Sequence, residues 1–222
     1  MIGVVVPVRN QAAFLGEALD SIAAQRLPAA RIVVVDDGSI DGSGDVARER
    51  GVDVLETAGG QGAGAARDLG ARHLDTPLLA FLDADDRFTP DHHAVLAEAL
   101  DTGADVACGR VRQFADPARA AELRARHRID GRPVIGRAPI AVLIRRTCFE
   151  RVGGFGHDLR RNEVFDFFAR LHEIGRPPVD IAALVAERRV HGDNMTIVRR
   201  DEVQARYLAS ARAAILRRRE SA

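Results

Sequence analysis

Leu78-Leu79-Ala80-Phe81-Leu82-Asp83-Ala84-Asp85-Asp86 decides how this chain is read, because a short apolar run ends directly in three carboxylates. A continuous apolar segment of this length is what a strand buried on both faces looks like, and the carboxyl end of such a strand is where open α/β sheets place ligands. Asp83, Asp85 and Asp86 then stand as hard oxygen donors at a strand exit, where a divalent cation can meet a phosphate-bearing molecule. A plainer reading makes the same residues turn and helix-start positions. Thr89-Pro90-Asp91 follows with a capping hydroxyl and a proline suited to a first helical turn.

Working outward, apolar runs alternate with amphipathic segments. Gly3 to Val8 precedes Ala12 to Gln25, Arg31 to Asp36 precedes Ser43 to Arg50, and Val52 to Glu56 precedes a helix from about Ala65 to His73. Downstream of the acidic turn, Pro90 to Leu100 reads as a helix. This alternation predicts an α/β chain with a mostly parallel central sheet flanked by helices on both faces. The polar strand ends Arg9-Asn10-Gln11, Asp36-Asp37-Gly38-Ser39 and Asp83 to Asp86 should then collect on one rim.

Past residue 105 the pattern loosens. Val106 to Arg112 reads as a strand, Asp116 to His127 as a charged helix, Asp130 to Pro139 as a loop and Ala141 to Ile144 as a short strand. Gly153-Gly154 marks a turn, and Glu163 to Ile174 is an amphipathic helix with Phe165, Phe168 and Leu171 on its apolar side. Leu184 to Val190 reads as the last strand. Residues 201–222 carry an amphipathic helix with Val203, Tyr207, Ala211 and Ile215 in one stripe. Its Arg217-Arg218-Arg219 end is better explained as a solvated helix terminus favoured by the macrodipole than as a membrane contact.

Composition bounds the partners. The chain has 222 residues, 46% of them hydrophobic, enough for one large domain or two joined lobes. Its 32 basic residues, every one an arginine, balance 32 acidic ones, so no global field argues for nucleic acid. Cys108 and Cys148 lack metal-ligand spacing and read as two reduced, buried thiols. The first residues begin a strand at once, without a basic leader or long apolar segment, so no transmembrane segment and a cytoplasmic residence are expected.

Two further motifs need weighing. Asp37-Gly38-Ser39-Ile40-Asp41-Gly42-Ser43 imitates the opening of a calcium-binding helix-loop-helix, but Arg48 stands where a bidentate carboxylate belongs and a strand precedes the loop. A strand-turn-helix accounts for it better, with Asp41 or Ser43 capping the next helix and with Asp36 and Asp37 left at the rim for a nucleobase or ribose. Gly59-Gly60-Gln61-Gly62-Ala63-Gly64 is a glycine-rich loop that lets backbone approach a phosphate or sugar, without the Lys-Ser/Thr of a P-loop. Arg67, one turn into the following helix, either reaches back to a ligand or is exposed.

Together these segments resemble the family 2 glycosyltransferases. The likeness rests on Val4-Val5-Val6-Pro7-Val8-Arg9-Asn10, Val34 to Ser43, Gly64-Ala65-Ala66-Arg67-Asp68-Leu69-Gly70, Phe81 to Asp86, Phe149 to Phe155 and Arg189 to Thr196. It implies a GT-A-type fold spanning residues 1–200, with a nucleotide-sugar-binding half at 1–110 and a smaller acceptor-binding half at 111–200. The implied activity is metal-dependent, inverting transfer of a sugar from a nucleoside-diphosphate donor, a UDP-sugar favoured, to an unidentified acceptor hydroxyl. Carried over by position, Pro7 and Asn10 would line the nucleotide site and Asp37 would bond the base. Arg67 would contact base or ribose, Asp83 would sit against ribose and metal, and His191 would lie near the diphosphate. Asp85 would be the principal ligand of Mg²⁺ or Mn²⁺.

One position departs from that pattern. Where the family's catalytic Asp is expected, Arg161-Asn162-Glu163-Val164-Phe165-Asp166 places Val164, which accepts no proton. Glu163, favoured because it opens the helix at the rim, or Asp166, about 300° around the helix from it, would have to serve as base. Otherwise the chain is a catalytically impaired homologue acting as a nucleotide-sugar-binding or scaffolding subunit.

Overall fold

The structure is a computed structural model that describes residues 1–126, 129, 131–156 and 163–191. The amphipathic segment expected over 201–222 lies outside the described residues, as does most of the Arg189 to Thr196 motif. The strands are β1 Ile2–Val8, β2 Arg31–Asp36, β3 Asp53–Glu56, β4 Leu78–Phe81, β5 Arg87–Phe88, β6 Val106–Ala115, β7 Val134–Ile135, β8 Val142–Arg145 and β9 Val179–Val190. The helices are α1 Ala12–Ala23, α2 Ser43–Glu49, α3 Ala63–His73, α4 His92–Leu100, α5 Ala120–Arg126, α6 Arg146–Val152 and α7 Glu163–Glu173.

All these strands join one sheet in the order β3-β2-β1-β4-β8-β6-β9-β5, with β7 paired to β6. The β3-β2-β1-β4 run is parallel, as the Val-rich and Leu-rich segments predict. β8 is antiparallel to β4 and β6, while β9 runs parallel to β6 and antiparallel to β5. The sheet is thus mixed, its parallel first part extended through the second half of the chain by strands of both directions.

Local chemistry explains the packing. β1 is buried along its whole length, consistent with helices on both faces. α1 buries Leu15, Ala18, Leu19 and Ile22, the spacing of one helical stripe. α3 lies hard against β1 because Gly70 has no side chain; a Cβ there would sit 2.4 Å from a methyl of Val5. An aromatic cluster carries the core from β4 into the second half. Phe81 meets Phe155 edge-on at 5.1 Å, and Phe155 stacks on Phe167 at 4.6 Å. Cys108 and Cys148 are buried and unpaired, as the sequence suggests.

Several local expectations are corrected. α4 begins at His92 with Asp91 as its cap, not at Pro90 after Thr89. The Thr89 hydroxyl instead donates to the Leu184 carbonyl on β9. On α7 Phe168 and Leu171 are buried as expected and Phe167 is buried with them, whereas Phe165 is half-buried. The last strand starts at Val179 rather than Leu184, because Ala107 and Cys108 at the start of β6 pair with Val179 and Asp180 ahead of a bulge, while β6 runs on to Ala115 opposite Val190. The Asp130 to Pro139 connection holds β7, and β8 starts one residue later than expected, after a 3₁₀ turn at Pro139–Ala141.

α4 also buries two histidines. The His92 ring stacks on Phe88 at 3.6 Å, with Nε2 3.2 Å from the Ile140 carbonyl, and His93 Nδ1 lies 2.9 Å from the Leu27 carbonyl. Burial pushes both imidazoles below their ordinary pKa, so each takes up a proton less readily in the fold than in the unfolded chain. The unfolded state therefore binds more protons as pH drops below about 6.5, and stability falls with it. Urea midpoints measured at pH 7.5 and 5.5 should show a larger loss for the parent than for H92L. Equal losses would contradict this account.

Candidate active site

β2, β1 and β4 are neighbouring parallel strands, so their polar exits share one sheet edge as the strand pattern requires, and the acidic turn after β4 divides its carboxylates among three partners. Asp86 turns inward, almost fully buried, where its Oδ1 accepts the Arg189 amide at 2.8 Å. Burial, aided by the charges of Asp85 and Asp83, holds its carboxyl well above the usual range. Asp85 lies 3.0 Å from His191 Nε2, and its carbonyl accepts Arg189 Nε at 3.0 Å. Asp83, the most exposed of the three, pairs with the Arg67 guanidinium. Pairing of β5 with β9 brings this about, since Arg87 opposite Glu187 and Phe88 opposite Ala186 draw the end of β9 alongside the turn. The His191 ring also packs on Phe14 of α1 at 4.8 Å.

Arg67 is buried rather than exposed, with 4% of its side chain accessible. Besides Asp83 it faces Glu163, whose Oε1 is 3.7 Å from Nη1, and it lies over the Phe155 ring at 5.3 Å. Glu163 opens α7 against the first turn of α3. Gly64 makes that approach possible, because a Cβ there would come within 2.9 Å of Glu163 Cγ. Burial pushes the Glu163 carboxyl up, against the pull of Arg67. Val164 packs on the core.

Asp166, the other candidate base, is drawn into scaffolding. Its Oδ2 accepts Arg170 Nε at 2.6 Å, and the same guanidinium donates to the Gly154 carbonyl at 2.8 Å and to the Val152 carbonyl closing α6. Asp68, which sequence reasoning passed over, completes this clamp by accepting the Phe155 and Gly156 amides at 2.8 and 3.0 Å. Its place one residue after Arg67 in the quoted motif was the available signal.

The residues expected to line a nucleotide site are also more engaged than the sequence indicates. Asp37 does not stand open at the rim, because its Oδ1 accepts the Thr57 hydroxyl at 2.6 Å and the Gln61 amide at 2.9 Å, while Oδ2 accepts the Gly62 amide at 2.9 Å. Burial raises its pKa, but these bonds and the Arg9 charge outweigh it and hold the carboxyl low. Asp37 is thus the clamp of the glycine-rich loop. Asp36 accepts the Ser39 amide at 2.7 Å. Asn10, in the left-handed region at φ 53°, holds the same loop by accepting the Ile40 amide and donating its own to Ser39. Pro7 is buried in β1, at its register with Val35. Asp41 accepts the Ser43 amide and hydroxyl, yet its other oxygen takes the Ala12 amide, so it closes α1 as much as α2.

Residues 3–158 match the family model for glycosyl transferase family 2. The chain belongs to this family. Among family relatives, the glycosyltransferase GlyA of Streptococcus pneumoniae serotype 4 is 34% identical over 119 residues, 51% of this chain and 17% of that protein. An uncharacterized glycosyltransferase of Haemophilus influenzae is 26% identical over 186 residues, 77% of this chain and 62% of that protein. The chain thus spans less than two thirds of either relative. Solved structures share the fold. Mannosyltransferase PcManGT from Pyrobaculum calidifontis, in complex with GDP-Man and Mn²⁺, superposes with a TM-score of 0.72 at 21% identity, over 97% of this chain and 64% of that one. S. aureus TarS 1-349 with UDP-GlcNAc gives 0.70 at 17% identity, over 87% and 59%. The sheet is the GT-A type of these family structures, and no described helix is long and apolar enough to cross a membrane.

Removing Asp37's charge should loosen the glycine-rich loop that it holds. D37N leaves three donors facing a poorer acceptor and should cost about 1–3 kcal/mol in urea unfolding at pH 7, with faster amide exchange at Gln61 and Gly62. Unchanged exchange there would remove the clamp role.

Proposed function

We propose that the chain transfers a sugar, with inversion, from a nucleoside-diphosphate donor to an acceptor hydroxyl, with Glu163 as general base. The observation that carries this reading is the juxtaposition of Asp83 and Glu163 on the two sides of Arg67, one from the donor-side strand exit and one from the helix opening the second half. Glu163 would take the acceptor proton, the alkoxide oxygen would attack the anomeric carbon, and the bond to the diphosphate would break with its electron pair leaving on the diphosphate. Burial raises the proton affinity of this carboxyl, the direction that acceptance of the hydroxyl proton requires. Asp166 is the weaker candidate because its carboxylate serves Arg170.

Asp83 and Asp85 fit Mg²⁺ or Mn²⁺ as a pair of hard oxygen donors. Substrate phosphates and water would complete the coordination of such a cation. Such an ion would supply Lewis-acid stabilisation of charge on the leaving diphosphate. His191, at 3.0 Å, would fix which oxygen Asp85 presents. The neighbours that bind UDP-GlcNAc and GDP-Man support both bases as donors, and a UDP-sugar remains our preference. The acceptor is left as a hydroxyl-bearing molecule, and a cytoplasmic site of action is part of the proposal.

Mass-spectrometric detection of transfer or donor hydrolysis, with Mn²⁺ and a panel of UDP- and GDP-sugars, tests the reading. E163Q should lower turnover by about 10²–10⁴-fold, while D166N should act mainly on stability. D85N should weaken Mn²⁺-dependent nucleotide binding as well as turnover. Val164 motivates the rival reading, a nucleotide-sugar-binding or scaffolding subunit. Since Val164 packs on the core, V164D should not raise turnover; a large gain would favour that rival.

A further inference from the structure

Arg67 is a single buried cation between two carboxylates, and it satisfies only one of them. It pairs with Asp83, whereas its Nε and Nη1 donate no hydrogen bond, and Glu163 Oε2, equally buried, accepts none. Buried donors and acceptors are nearly always paired in folded proteins, so three unpaired atoms on two facing side chains call for an explanation. Glu163 Oε1 stands 3.7 Å from Nη1, just beyond hydrogen-bond reach. A small swing of the guanidinium toward Glu163 would engage Nη1 and the Glu163 carboxylate together, and it would release Asp83. Phe155, with its ring under the guanidinium at 5.3 Å, offers a flat surface over which that swing keeps its cation–π contact. Phe155 is itself fixed, since Asp68 accepts its amide and Arg170 donates to its carbonyl.

We propose that Arg67 is a positioning residue that exchanges partners, resting on Asp83 without donor and moving to Glu163 when a cation and nucleotide take Asp83. The inference rests on the donor-site reading given above. Its consequence follows from linkage. Whatever favours Arg67 on Glu163 must strengthen cation and nucleotide binding at Asp83, and donor binding must anchor the Glu163 side chain to the same extent. The base is then held in place only after the donor has arrived.

The test is a double-variant cycle read by titration calorimetry of UDP, and separately GDP, in Mn²⁺ and in EDTA. In Mn²⁺, E163Q removes the charge that receives Arg67 and should weaken nucleotide binding roughly tenfold, within the range of coupling between neighbouring groups. In the R67M background there is no cation to rehouse, and E163Q should change affinity less than twofold. In EDTA, E163Q should have no effect in either background, which a merely structural role for Glu163 would not reproduce. R67Q repeats the cycle should R67M fail to fold. Equal effects of E163Q with and without Arg67, or no effect in the parent, overturn the partner exchange while leaving the transferase reading intact. Absence of nucleotide binding by the parent in Mn²⁺ overturns both.

Discussion

Three carboxylates cannot share one tight turn unless their charge is divided, and this constraint organises the molecule. Each acid after β4 is answered by a different part of the chain. Asp86 is buried against a backbone amide of β9, Asp85 meets an imidazole just beyond that strand, and Asp83 meets a guanidinium from α3. Burial, with the charges of Asp85 and Asp83, pushes the Asp86 carboxyl well above its ordinary range. The turn thereby becomes a knot between segments roughly a hundred residues apart. β5, only two residues long, lays the chain against β9 so that these contacts form.

Arginine is suited to the joints that result. Arg146 donates to the carbonyls of Ala71, Leu74 and Thr76, closing the carboxyl end of α3 from α6. Arg170 links Asp166 to the carbonyls of Val152 and Gly154. Arg189 reaches Glu17 and the Asp85 carbonyl while lying over Phe14 and Phe114 at 5.2 and 4.7 Å. In each case one planar fork satisfies several acceptors, and in the last it also covers aromatic faces; a lysine ammonium has neither shape nor geometry for this.

Much of the scaffold was legible because it depends on patterns local to a few residues. The parallel strands before residue 82 announce themselves as unbroken apolar runs, and their polar exits mark the rim. What escaped depends on partners distant in sequence. β5 is too short to carry periodicity and exists only because β9 offers an edge. Asp37 looks like an open rim acceptor until the loop 57–62 folds back and fills it. The place of Arg67 on α3 does not distinguish an exposed from a buried side chain, since only the arrival of Phe155 and Glu163 covers it. Asp166 has the same residue type and nearly the same place as a candidate base, and only the reach of Arg170 removes it from that role.

The two halves of the chain are joined by more than a shared sheet. β8 pairs with β4 directly behind the acidic turn, so the strand that delivers Asp83 is flanked by one from the second half. The Phe81, Phe155 and Phe167 cluster fills the space beneath, and a rotation of α7 relative to β4 would have to break it. Close packing of this kind transmits position and resists hinge motion. Any coupling between Asp83 and Glu163 therefore has to travel through side chains at the rim. Among the described residues that touch both Asp83 and Glu163, Arg67 has the charge and the unspent hydrogen-bond capacity to respond. A rigid core with one adjustable cation at its lip keeps the distance between the two carboxylates fixed while letting the charge between them shift.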